Sequence, residues 1–116
     1  MMEADLNTLL KTVCPRTFPD VAPSGTAAPF IAWQALGGES LRYLDNTAPD
    51  KRNTYMQVSV YSKTRAEALA LIRAAESAMC ASPAIIVKPQ GEPISSYEDG
   101  TQLYGSIQRF SIWAAR

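Results

Sequence analysis

Glu98 and Asp99 are the only adjacent carboxylates in the chain, and a carboxylate pair can hold a cation or divide acid and base roles between its members. Neighbours in sequence point in different directions, though, and Asp99-Gly100 is first of all a turn signal. Cys14 and Cys80 are the two thiols. They lie far apart and without a second ligand nearby, which reads as two free, small side chains rather than a zinc site or a disulfide framework. Histidine is absent, which removes the commonest general base and metal ligand and with it every Ser-His or Cys-His nucleophile pair. Gly37-Gly38-Glu39-Ser40 has the glycines of a phosphate loop without its Gly-Lys-Ser/Thr ending, so it reads as a bend. No catalytic residue, metal ligand or cofactor-binding residue is expected.

Composition narrows the class further. At 116 residues, 47% hydrophobic and 19% charged, the chain suits one domain spanning 1–116 with an ordinary globular core. Eleven basic residues balance eleven acidic ones and neither sign forms a block, so no footprint for a polyphosphate backbone exists and direct nucleic-acid binding is not expected. The longest apolar helical run, Ala66 to Ala75, is interrupted by Glu67 and Arg73 and falls well short of the ~20 residues that cross a bilayer. The start, Met1-Met2-Glu3-Ala4-Asp5, is acidic where a secretory signal is basic, which argues against export.

The elements that would position any surface begin with a helix over residues 3–13, where Leu6, Leu9, Leu10 and Val13 take the spacing of one buried stripe. Glu3 and Asp5 suit the positive end of its dipole, and Pro15 stops it. From Phe18 to Pro29 a proline-punctuated, nearly uncharged stretch crosses the surface as a loop with Gly25 as its permissive turn. A strand follows from Pro29 to about Leu36, apolar on both sides and therefore expected to be covered on both. Gly37-Gly38 allows a bulge or bend, pairing continues over Leu41–Leu44, and Asp45 to Asn53 forms a polar hairpin tip, poorly ordered in an isolated subunit.

The return strand, Thr54–Ser62, sets Met56, Val58 and Val60 toward the core and Tyr55, Gln57, Ser59 and Tyr61 away from it. Thr64 caps a second helix running to about Ala81, with Glu67 completing a capping box and Ala68, Leu71, Ile72, Ala75, Ala78 and Met79 forming its stripe. Ile85–Lys88, broken by Pro89, Gly91 and Pro93, reads as a short edge strand. Thr101–Ala114 reads as a long last strand in which Gly105 marks a bulge. The expected fold is α+β: a mostly antiparallel sheet of four to five strands, two helices packed on one face, in the order α-β-β-α-β-β.

An aromatic-Pro-x-x-Ala-Pro-x-Gly loop (Phe18 to Gly25), a Pro-aromatic-Ile-x-Trp strand (Pro29 to Trp33), a hairpin, a strand ending Val58-Ser59-Val60-Tyr61-Ser62 and an Ala-rich helix together resemble the tail-completion or tail-terminator proteins of long-tailed bacteriophages and prophages. The resemblance runs from about Met2 to Trp113. It implies a non-enzymatic virion protein, assembled in the bacterial cytoplasm, that forms a sixfold ring on the end of the tail tube, stops tube growth and presents a surface to the head connector. Its implied partners are itself, the tail tube protein and the head–tail connector protein.

On that reading the residues expected at the subunit or tube interface are Asp45, Asp50, Lys51 and Arg52 at the hairpin tip and Tyr55 and Tyr61 on the outward face of the return strand. Tyrosine buries much area at small entropic cost, and a mixed-charge tip is suited to a neighbouring subunit. The alternative is a small-ligand-binding or enzymatic α+β domain with its pocket between the helices and the sheet.

Overall fold

A computed structural model describes residues 2–39 and 51–115. Helix α1 (Met2–Val13) is followed by strands β1 (Thr17–Pro19), β2 (Phe30–Ala35) and β3 (Lys51–Ser62). Helix α2 (Arg65–Ala81) and strands β4 (Ile86–Pro89), β5 (Ile94–Glu98) and β6 (Leu103–Ala115) complete the order. The fold is α+β as expected, but among the described residues the order is α-β-β-β-α-β-β-β around a six-stranded sheet, two strands more than the expected order α-β-β-α-β-β contains and one more than the upper expectation of five. The additional strands are β1 and β5.

The sheet runs β1-β2-β3-β6-β4, with β5 also on β6. Pairing is antiparallel except where β1 lies parallel to β2. Its spine is the β3–β6 ladder, in register without interruption from Lys51↔Ala115 to Ser62↔Tyr104. The expected bulge at Gly105 is therefore absent, and the irregularity sits on β2's side instead. The Leu36 amide donates to the Tyr55 carbonyl and the Tyr55 amide to that of Gly37, both at 2.7 Å, so two residues oppose one. Gly37 has φ +86°, and a Cβ on Gly38 would collide with the Asn53 backbone, which is why the pair is glycine.

Alternation along β3 and β6 sorts the two faces. Met56, Val58 and Val60 oppose Phe110, Gln108 and Ser106, and this face packs with Leu6 and Leu10 of α1 and Ile72, Ala75 and Met79 of α2 into one core. Small residues in α2 hold the helix close to the sheet: Ala68 and Ala75 are fully packed. The Trp33 indole donates to Asn7 Oδ1 at 2.9 Å, tying α1 to β2 on the same face.

The start of α2 shows a variant of the capping box. Thr64 Oγ1 accepts from the Glu67 amide at 3.2 Å. The Glu67 carboxylate accepts from the Ser62 hydroxyl rather than from the Thr64 amide, and that amide reaches Ser62 Oγ at 3.4 Å. Ser62, the last residue of β3 and wholly buried, thus relays the reciprocal bond and fixes how α2 leaves the sheet. At the other end Ser82 closes the helix, its amide donating to Met79.

β4 lies at the sheet edge, as its β-branched, proline-stopped sequence implies. After a break at residues 90–93 the chain returns to the same side of β6 as β5. Gln108, nearly fully buried, spans the break: its Nε2 donates to the Gly91 carbonyl at 2.9 Å and to the Glu76 carboxylate at 3.2 Å, coupling the edge to α2.

Candidate functional site

Both helices occupy one face of the sheet, which leaves the other, carrying odd-numbered residues of β3 and β6, without a helical layer. Register places Lys51, Asn53, Tyr55, Gln57, Ser59 and Tyr61 of β3 on this open face. Beside them stand Trp113, Arg109 and Ile107 of β6 and Ile86 and Lys88 of β4. Ile86 and Ile94 are exposed, at 56% and 65%. Each sits beside a half-buried apolar neighbour on β6, Ile86 against Trp113 and Ile94 against Ile107, with Lys88, Ser111 and Arg109 between the two sites.

The expected interface residues divide. Tyr55 and Tyr61 lie on the open face and are half-buried rather than exposed. Lys51 and Arg52 are not at a loop tip: they begin β3, paired with Ala115 and Ala114, because the β6 backbone extends far enough to hydrogen-bond them. As strand neighbours they point to opposite faces, Lys51 to the open one and Arg52 to the helix side. Asp45 and Asp50, with the Leu41–Leu44 pairing and the rest of the expected tip, lie outside the described residues, whereas Asn53 is buried in the sheet. Its side chain accepts from the Glu39 amide at 2.9 Å and donates to Ser111 Oγ at 2.8 Å.

At the opposite end of β3 the open face deepens into a groove of 750 Å³. Phe30 and Tyr61, neighbours across the β2–β3 pair, form an aromatic floor with ring centroids 5.2 Å apart. One wall is the proline-punctuated loop with Val21 at its lip, and Lys63, Asp20 and Glu98 supply charge. Sequence spacing explains the wall. Phe18 and Pro19 do not continue the loop but form β1 on β2, and Asp20, at φ 61°, turns the chain out of the sheet while its amide donates to the Trp33 carbonyl. The Thr26 amide closes a turn on the Pro23 carbonyl at 3.1 Å, with Gly25 at φ +82° between them. Arg16 Nε holds the loop's far end at the Pro29 carbonyl, 2.9 Å away. β2 is therefore helix-covered on one side and loop-covered on the other, where Phe30 and Ala32 are half-buried.

The groove lies on the face opposite the helices, not between helices and sheet, where the alternative ligand-binding reading would place its pocket. Its residues were not legible as a set because they come from three separate stretches of chain, 20–34, 57–63 and 98–103. The one available signal was the abrupt change from uncharged loop to Phe30.

Among the described residues no group of three or more His, Cys, Asp or Glu side chains converges to hold a metal ion. Asp99 and Gly100 form the turn between β5 and β6, and Glu98 lines the groove. Both cysteines are free, Cys14 buried and Cys80 exposed. Loss of solvent around Cys80 and the nearby Glu76 carboxylate push its thiol pKa up, the direction opposite to that of a reactive cysteine. No described helix is long and apolar enough to cross a membrane.

A family model described as tail completion protein gp17 matches residues 1–115. No curated protein matches the chain.

Proposed function

The chain belongs to the tail completion protein gp17 family, a family of structural phage tail proteins, and from that premise we propose that it oligomerises into a closed ring at the end of the tail tube. There it ends tube growth and carries the surface that the head connector joins. The proposed mechanism is steric. A ring matched to the tube's symmetry, sixfold by resemblance, covers the sites that would take another layer of tube subunits. Assembly would take place in the host cytoplasm, and no catalytic step is involved.

The observation that best supports self-association is the one-sided fold, whose helix-free face exposes Ile86 and Ile94 beside half-buried Trp113 and Ile107. A helix-free sheet face that carries exposed isoleucines and half-buried aromatic residues is suited to a protein contact. The proposed interface set is Lys51, Tyr55 and Tyr61 on that face together with Asp45 and Asp50, with Arg52 on the helix side as a contact to a different neighbour. Zero formal net charge leaves little long-range repulsion between copies.

Sedimentation velocity over a wide concentration range tests the ring, with a monomer-to-hexamer equilibrium expected. Electron microscopy of particles from a phage lacking the gene tests the terminator role: tails of uncontrolled length support it, and tails of normal length joined to heads refute it. The groove favours one competing reading, because its volume falls in the range of small-ligand sites. A ligand retained stoichiometrically through purification would support that reading over assembly.

A further inference from the structure

The Phe30–Tyr61 floor of the groove and the points where the described chain breaks off and resumes, Glu39 and Lys51, lie toward opposite ends of β3, and the sequence of residues 40–50 complements the groove. We infer that residues 40–50 of one copy dock in the Phe30–Tyr61 groove of another. This deepens the ring reading and rests on it for its biological setting.

Distance keeps the segment from the Phe30–Tyr61 floor of its own chain, although the near rim at Gln34 and Gln57 is closer. The described residues extend 52 Å along the long axis. A segment of eleven residues that leaves at Glu39 and returns at Lys51 can project at most about 20 Å, half its extended length. Tyr61 stands ten positions along β3 from Lys51 and eight from Asn53, beside which Glu39 is held, about 33 and 26 Å away at strand rise. The aromatic floor of its own groove is out of reach, while that of a neighbour is not.

Complementarity gives the reason to dock. The segment reads Ser-Leu-Arg-Tyr-Leu-Asp-Asn-Thr-Ala-Pro-Asp. Leu41, Tyr43 and Leu44 are apolar anchors for the Phe30 and Tyr61 rings and the Val21 lip. Arg42 matches Asp20 and Glu98 at the groove, and Asp45 matches Lys63. Each copy then gives a segment at one end and receives one at the other, a heterologous contact that closes into a ring when the rotation permits.

Two measurements test it. In a Cys80→Ser background, with Cys14 buried, an Asn46→Cys variant, which keeps the Leu41, Tyr43 and Leu44 anchors, is mixed with a Thr101→Cys variant at the far wall of the groove and treated with a short bismaleimide. Mixed dimers should form at least about tenfold faster than with Arg73→Cys on α2 as the acceptor, because docking raises the local concentration. Equal rates would overturn the proposal, as would closure within one chain of the double variant. Independently, an amidated and acetylated peptide of residues 40–50 should shift the amide resonances of Val21, Phe30 and Tyr61 in the labelled protein, and its Tyr43→Ser form should not. No shift, or shifts confined to α2, would sink it.

The two readings fail differently. A chain that associates while crosslinking no faster than the control keeps the ring and loses the docking. A chain that stays monomeric while its groove takes the peptide, or whose variant carrying both cysteines gives a crosslinked ladder that stops at a dimer, keeps the docking and loses the ring.

Discussion

Tyr61 lies directly across the β3–β6 pair from Gly105, and a Cβ at position 105 would come within 3.2 Å of its ring and 2.5 Å of Ser96 Oγ. The glycine is there to seat the aromatic floor of the groove rather than to bend the strand. Phe30 holds the other side of the ring, so Tyr61 has little room to yield.

Gly105→Ala should therefore destabilise the fold by about 1–2 kcal/mol through overpacking. Adding Ser96→Ala should recover part of the loss, since the serine end is the closer contact. Gly100→Ala, with nothing within 4 Å of its Cβ, is the control and should change stability little. Urea denaturation of the variants checks this, and a Gly105→Ala protein as stable as wild type would show that Tyr61 is free to move.

Lys51 and Arg52 should separate in their effects. Lys51→Glu acts on the open face and is expected to weaken self-association about tenfold, whereas Arg52→Glu, on the helix side, should alter that contact by no more than about twofold. Sedimentation velocity on the two single variants decides it. Equal effects would mean that association does not use the open face.

Loss of the Asn7 side chain should loosen α1. Asn7→Ala leaves the Trp33 indole N–H, in a residue only 7% exposed, without its acceptor, at a cost of about 1–2 kcal/mol. Asn7→Asp keeps an oxygen in place and should retain most of the stability. Urea midpoints measure the cost, and a red shift of tryptophan emission in Asn7→Ala would report water reaching the ring.

Cys80 should alkylate slowly despite its exposure. Its raised pKa means less thiolate at pH 7–8, and the thiolate is the nucleophile. Iodoacetamide should react more slowly than with an unperturbed thiol, and Glu76→Gln, which removes the second of the two causes, should speed the reaction about twofold. No acceleration would leave desolvation as the sole cause.

What was legible in the sequence was whatever had a buried side. Leu6 and Leu10, the Ala68–Met79 stripe and Met56-Val58-Val60 each repeat with the period of their element; all are buried except Leu71 and Ala78 of the stripe, which are half-buried at its margin. β5 left no such trace. Ile94 to Glu98 is exposed at every position, so no alternation distinguishes it, and only the β6 backbone makes it a strand. β1 was hidden for a related reason: Phe18-Pro19 carries the signature of a loop, and its pairing to β2 is parallel and three residues long. The groove depends on tertiary juxtaposition of Asp20, Phe30, Tyr61 and Glu98, which no local pattern encodes. Gly105 was recognised as special but for the wrong cause, because a glycine required by a facing ring and a glycine at a bulge look alike in sequence.

The position of β6 also governs the order in which the fold can form. It is the last described strand in the chain, yet it lies between β3 on one side and β4 and β5 on the other. The β5–β6 hairpin is local and can close quickly, but Ser62↔Tyr104 and Lys51↔Ala115 join residues far apart in the chain. Loop-closure entropy must be met before that ladder contributes anything. Until β6 arrives, β3 waits with one edge unpaired and its apolar face uncovered by half of its sheet. The centre of the sheet is thus its slowest part to assemble, and β3 is the segment at greatest risk of pairing with the wrong chain while the protein is being made.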